Sequence, residues 1–498
     1  MPSVWSYNKS ILQKQRYGYN NMWKWLNETI FKFKDSFSRE ASFNWFVVII
    51  IGLMIRTDHL GITSIVRELG INPRFYESML HFFHASSWTI ESISETWTQI
   101  VQGIGCLYLE NQMPVLIGDG VKQSKEAGKM PCVKKHHQES ENSSKAQYIF
   151  GHLFGCIGVL IGSEKKMFCV PLTATIQDGA NILRKWKDSS YEEASHVVQM
   201  IRNACMSATT LGRSILLLDR YFLTIPALCA QTAYEETVGR KLLTIITKAK
   251  RSVVAYEKPI QKAGRGRPRK KGETIKLKDL FTTCRTEFSE AVVLMYGRPR
   301  SVKYLCKDLL WGKGLYQELR FVLVTYGGVD SILACTSTSL TPETIIRLYS
   351  YRFKIEVTFR ELKQVIAGFS YHFWSKAMPK LNKYLKKDAP QPLEAVSDEK
   401  KKNTILSTFK AIEGYVQFAC IAIGLLQILA IRFSGELNSS SFRWLRTKSN
   451  DTPSEATIAL FMRKTIFCMF QKMPFLGITK IINSKHFPML EPSDSFTA

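Results

Sequence analysis

The sequence is poor in negative charge. Its 498 residues carry 42 Asp and Glu against 68 Lys and Arg, a formal net charge of +26. Such a balance calls for a polyanionic partner, and nucleic acid or an anionic membrane surface are the two that fit. The chain also lacks a long apolar run near its start. Trp45 to Ile55 is too short to span a bilayer, and Met1 to Lys9 has neither the apolar stretch nor the cleavage site of a signal peptide. Tyr415 to Ile431 is longer, but Gln417 and Gln427 interrupt it. Both segments are expected to be buried core helices, with no membrane partner. The eleven cysteines include no C-x-x-C pair. That removes the usual zinc and redox motifs and leaves free thiols in a reducing cytosol. No internal repeat is present.

With 45% hydrophobic residues the chain can bury a large core in two or three domains. Residues 1–105 read as a helical domain. Gly61 to Tyr76 reads as helix, turn at Gly70 and a second helix started by Asn72-Pro73, which suits a helix-turn-helix or an ordinary helical hairpin. Residues 106–254 read as α/β. Pro114 to Asp119, Tyr148 to Ile161, Met167 to Ile176, Ser214 to Asp219 and Leu242 to Thr247 are strands, Tyr191 to Leu211 is a helix, and residues 122–145 are a charged loop. This order predicts a mixed sheet with flanking helices. Residues 255–340 form a β-rich insertion that opens on the basic stretch Gly264 to Gly272. A helix starts at Thr341 and fills 341–378, residues 379–403 are a charged linker, and 404–498 are helical.

Asp119 and Asp219 each follow a short apolar strand, where side chains project into a common crevice. Asp also starts turns, so these two alone say little. The helix from Thr341 says more. Thr341 caps it, Pro342 takes its first position, and Ile345, Leu348, Ile355, Phe359, Leu362 and Ile366 form its apolar stripe. Lys354, Glu361 and Arg347 fall on the opposite, solvated face. Between the two lie Tyr349, Arg352, Glu356, Arg360 and Lys363, within roughly an 80° arc at about 100° per residue. Surface ion pairs at i±4 are the bland explanation. Here, though, the arc borders the apolar stripe, which suits a carboxylate for metal ringed by cations for phosphate.

Tyr349-x2-Arg352-x3-Glu356-x6-Lys363 resembles the Y-R-E-K signature of DDE-type bacterial insertion-sequence transposases of the IS-four type. The order of the other parts is similar as well: a first Asp after a strand in Leu116-Ile-Gly-Asp119, a second in Leu218-Asp219-Arg220, and a β insertion before the Glu helix. The resemblance spans about 110–375. It implies an RNase H-like catalytic core in which Asp119, Asp219 and Glu356 bind two Mg²⁺ ions, for which Mn²⁺ can substitute. Two such ions roughly 3.5–4 Å apart can serve both the attacking and the leaving oxygen of a phosphodiester. It further implies that Tyr349, Arg352 and Lys363 hold DNA phosphates. Arg360, on the same arc, and Arg220, after the second Asp, join them as phosphate contacts.

The implied partners are double-stranded DNA, both terminal inverted repeats and target, and a second copy of the chain on DNA, in a cytoplasmic, nucleoid-associated setting. Related enzymes hold a flipped base on a Trp of the β insertion during a hairpin step. The strand Ile332 to Ser337 has no Trp, and Trp311 lies elsewhere, so that step is left out of the expectation. Arg265-Gly-Arg267-Pro268 resembles an AT-hook core for the A·T minor groove. A basic loop touching phosphates without preference is the plainer reading, and both place Arg265 and Arg267 on DNA. His136-His137 has no third ligand at useful spacing and reads as surface. The alternatives are a catalytically silent, transposase-derived DNA-binding protein and a metal-dependent nuclease that cuts without joining.

Overall fold

A computed structural model describes residues 20–138, 147–260, 268–381, 391–437 and 452–486. The N-terminal part is helical: α1 (20–31), α2 (Glu40–Ile55), α3 (Ile62–Glu68), α4 (Tyr76–His84) and α5 (Ile90–Gly103). Every residue of α2 from Trp45 to Ile55 is buried, as a helix apolar on all sides requires. Gly70, at φ +61°, turns the chain after α3, and the Asn72 side chain accepts from the Arg74 N–H to start the next turn. The second helix, α4, carries no Lys or Arg and buries Met79, Phe82 and Phe83.

The central part begins with β1 (Leu109–Glu110), β2 (Met113–Ser124), β3 (Lys134–His137), β4 (Tyr148–Ser163) and β5 (Lys166–Ile176). Then come α6 (Asn181–Lys187), α7 (His196–Leu211), β6 (Ser214–Leu218), α8 (Ile225–Val238) and β7 (Leu243–Lys248). The next block supplies β8 (Val254–Tyr256), β9 (Thr274–Lys276), α9 (Leu280–Thr283), β10 (Ser289–Met295), β11 (Arg298–Trp311), β12 (Gln317–Tyr326) and β13 (Val329–Cys335). Helices complete the chain: α10 (Pro342–Tyr349), α11 (Lys354–Gln364), α12 (Glu399–Arg432), α13 (Glu455–Lys472) and α14 (Gly477–Asn483).

The fold is α/β, with one thirteen-stranded mixed sheet and helices packed on it. Its order is β3-β4-β2-β6-β7-β13-β12-β11-β8-β9, with β5 also on β4, β1 on β2 and β10 on β11. The pairs β2–β6 and β6–β7 are parallel, and the other ladders are antiparallel. The strands of the insertion are not a separate layer. Through β13, which pairs with β7, they extend the central sheet.

Several sequence expectations need correction. Residues 122–145 are not all loop: β2 runs on to Ser124 against β4, and β3 pairs with the start of β4. His136, expected at the surface, is 6% exposed and bonds the Gly151 carbonyl at 3.1 Å. The α7 helix starts at His196 behind a Ser195 cap, five residues after the expected Tyr191. The charged linker ends earlier than composition suggested, because Asp398 caps α12 by accepting from the Lys401 N–H.

The apolar α12 is long enough to cross a membrane, yet 94% of its most apolar window is buried against the rest of the chain. Its polar side chains face the outer edge of β5. Gln417 Oε1 accepts from the Ala174 N–H at 3.2 Å, its Nε2 donates to the Leu172 carbonyl at 2.8 Å, and Glu413 Oε1 accepts from the Ile176 N–H at 2.8 Å. These alternate residues of β5 point their backbone groups away from β4, so α12 supplies the partners a further strand would give. Gln417, read as an interruption of a membrane span, therefore finishes a sheet edge inside the protein, while Gln427 bonds the Glu455 and Thr358 side chains.

Candidate active site

The first two carboxylates are positioned by strand register. In the parallel pair β2–β6, Val115 lies beside Ile215, Leu116 beside Leu216 and Ile117 beside Leu217. β6 ends at Leu218. Asp119 and Asp219 stand two residues beyond the last pair, where the same register carried on would match them, and matched residues on neighbouring strands share a face. Asp119 was expected at a strand end. It stands mid-strand, because β2 stays paired with β4 beyond it, with Asp119 opposite Cys156. What ends beside it is the parallel partner, and this opens the crevice. Gly118 permits the close approach: a Cβ there would lie 2.7 Å from Leu218 Cδ2 and 3.2 Å from Met200 Sδ.

The third carboxylate arrives on a broken helix. The sequence predicts one continuous helix from Thr341, capped as expected by the Thr341 side chain accepting from the Thr344 N–H. Instead α10 stops at Tyr349 and α11 begins at Lys354. Ser350 donates its hydroxyl to the Arg347 carbonyl at 2.7 Å. Arg352, Lys354 and Glu356 donate N–H bonds to the carbonyls three residues back, the tighter spacing of a 3₁₀ turn. Arg352 is thereby carried over Tyr349, and Glu356 falls in the first turn of α11, where the helix dipole favours a carboxylate.

Arg352 joins the parts. Its guanidinium donates to Asp119 Oδ2 at 3.1 Å and to Glu356 Oε1, while only 16% of its side chain is exposed. Asp119 Oδ1 accepts from the Gly120 N–H at 2.7 Å. Burial pushes the Asp119 carboxyl up to about 6; Arg352 and the Gly120 N–H oppose this, and the charges of Glu356 and Asp219 add to it. The Tyr349 hydroxyl is also raised, chiefly by burial, with Arg352 opposing and Asp219, Tyr296 and Asp119 reinforcing. The charges of Glu356 and Asp219 therefore reach Asp119, and Arg352 offsets its burial only in part.

Lys363, Arg360 and Arg220 are the other expected site residues among those described. Lys363 reaches toward the Lys122 carbonyl of β2 at 3.5 Å. Arg360 is 59% exposed and pairs with Glu361. Arg220 opens the turn directly after Asp219 and is exposed. Arg265 and Arg267 lie outside the described residues. The face opposite the arc is not solvated as expected. Arg347 binds the Tyr108 hydroxyl, Glu110 and Glu164 with 21% of its side chain exposed, and Glu361 is 13% exposed. Arg347 thus anchors α10 to β1 and to the β4–β5 turn.

The chain matches no family model, no curated protein and no solved structure. Among the described residues, no group of three or more His, Cys, Asp or Glu side chains is gathered as a metal cage. The cation between Asp119 and Glu356 is Arg352. Carboxylate oxygens are the ligand type that a hard divalent cation takes, and Arg352 stands between two of them here.

Sequence reasoning missed two features. Tyr296 sits at the tip of the β10–β11 hairpin with φ +54°, 55% exposed, and its ring lies 5.7 Å from that of Phe353, in the α10–α11 break. A Tyr-Gly pair between two strands marks a tight turn, but where that tip lands is a matter of tertiary structure. The second feature is a basic cleft beside Arg220.

Proposed function

We propose that this chain is a DDE-type DNA transposase, cutting transposon ends and joining them to target DNA through two-metal-ion phosphodiester chemistry at Asp119, Asp219 and Glu356. One observation carries the reading: Asp119 and Asp219 hold matching positions at the open edge of neighbouring parallel strands, and Arg352 links Asp119 to Glu356. The order β5-β4-β2-β6-β7, with its first three strands antiparallel and its last three parallel, supports an RNase H-like core. The net charge of +26 supports a nucleic-acid partner. A cytoplasmic, nucleoid-associated setting and a dimer on DNA belong to the same proposal.

Two bound Mg²⁺ ions would supply the electrophilic pull on phosphorus and the activation of the attacking oxygen. Asp119, Asp219 and Glu356 would hold them, with Mn²⁺ able to replace them. The chain's own residues do the rest. Arg352 pairs with Asp119 and Glu356 in the free protein, and its guanidinium can turn to a phosphate, which offers the same paired oxygens as a carboxylate. Tyr349 forms one wall of the crevice, while Lys363 and Arg220 add positive charge on either side of it. No hairpin step is included, since Trp311 ends β11 and Ile332–Ser337 carries no Trp.

The test is cleavage and strand transfer on DNA carrying the inverted repeats that flank the gene, with Mg²⁺. Glu356→Ala should bind these ends yet neither cut nor join them. Equal cleavage by variant and parent overturns the assignment.

A further inference from the structure

A cleft of about 390 Å³ opens beside the carboxylates, lined by Arg220, Lys248, Lys250, Arg251 and Asp330, with Phe281 on one wall. Four cations face one carboxylate, and that carboxylate already has partners. Asp330 accepts from the Thr325 hydroxyl at 2.8 Å and lies 3.8 Å from Arg251. Among the described residues, no carboxylate pairs with Lys248 or Lys250.

The position follows from the sheet. Arg220 is the residue after Asp219, Lys248 ends β7, and β7 is the parallel neighbour of β6. Strands lie about 4.8 Å apart. The cleft therefore lies roughly one to two strand widths, about 5–10 Å, from Asp219 along the same sheet edge. Its far wall is built by the insertion: Phe281 comes from α9, and Asp330, Ser331 and Ile332 come from β13. Phe281 is partly exposed and packs against Phe288 at 5.7 Å between ring centres.

The geometry points to a binding site for a single nucleic-acid strand. Lys248, Lys250 and Arg251 take its phosphates, and Phe281 offers a flat aromatic face to a base or sugar. Cations alone would suit any polyanion. An aromatic wall beside them, in a cleft of only about 390 Å³, favours an unpaired strand. This rests on the proposed function only for the source of the strand, which is the DNA leaving the carboxylate crevice. Binding itself needs no metal and no cutting.

The experiment uses the full chain and fluorescence anisotropy, with a labelled single-stranded oligonucleotide and a blunt duplex, across a salt titration without divalent ions. Two variants are compared with the parent. The triple variant Lys248→Gln, Lys250→Gln, Arg251→Gln should lower the single-strand salt slope by about 2, three contacts at about 0.7 each. Phe281→Leu keeps the packing on Phe288 and removes the ring. It should weaken single-strand binding about tenfold at unchanged slope and leave duplex binding alone. An unchanged slope in the triple variant, or equal weakening of duplex and single strand by Phe281→Leu, overturns the cleft. If the parent binds neither oligonucleotide, the cleft and the nucleic-acid reading both fall. If the parent binds and the variants match it, the cleft alone falls.

Discussion

At the scale of single residues, Asp119 carries the clearest expectation. Its folded-state pKa, about 6, stands above the ordinary carboxylate value because of burial and its two acidic neighbours. A raised pKa means that the proton favours the folded state. The stability it gives is fully present below about pH 4 and is lost as pH rises through about 6. Asp119→Asn should therefore stabilise the protein at pH 7.5 by up to about 3 kcal/mol, with the gain fading as pH falls from about 6 to about 4, as urea unfolding would record. The same proton competes with metal, so Mn²⁺ affinity followed by electron paramagnetic resonance should fall as pH drops through about 6. Arg352→Gln removes the opposing cation and should move that midpoint upward. An unmoved midpoint would mean that Arg352 does not govern the crevice.

The residues of the crevice were legible in unequal degree. Glu356 and Arg352 could be found from spacing on one segment. Asp119 could be named but not placed, because whether β2 ends or continues depends on pairing with β4, some forty residues along the chain. Tyr296 and the Lys248–Arg251 run carried no local signal, since their meaning comes from which sheet edge they share.

At the scale of elements, the break between α10 and α11 is the main departure from the sequence reading. The apolar stripe from Ile345 to Ile366 fits one helix, and periodicity cannot register a short 3₁₀ turn inside it. Ser350 is the only hint, as a residue that competes for backbone bonds. The close passage at Gly118 was equally hidden. Gly118→Val would drive a side chain into Leu218 and Met200 and should cost about 2–3 kcal/mol in chemical denaturation, while parting β2 from β6 beside Asp119. Gln417→Leu would strip the Ala174 N–H and Leu172 carbonyl of their partners at the outer edge of β5 and should cost about 2–3 kcal/mol. Its loss should exceed that of Gln427→Leu, whose bonds go to the Glu455 and Thr358 side chains and strip no backbone group of β5.

At the scale of the molecule, the α/β class and the mixed sheet could be read from alternating strands and helices. The joining of the insertion to the central sheet could not, since β13 and β7 are paired by topology and carry no motif that says so. Burial of α12 could be read only through its glutamines, which have no place in lipid unless partnered. The charge of +26 bears on all of this, because it sets the partner without locating the contact.

The central claim is that three carboxylates from β2, the end of β6 and α11 form one metal-dependent cutting site. The most direct measurement is Mn²⁺ binding together with end cleavage for the parent and for Asp119→Asn, Asp219→Asn and Glu356→Gln taken singly. Each substitution should weaken metal binding and abolish cleavage while DNA binding persists. Full metal binding and cleavage in any one of the three would contradict it.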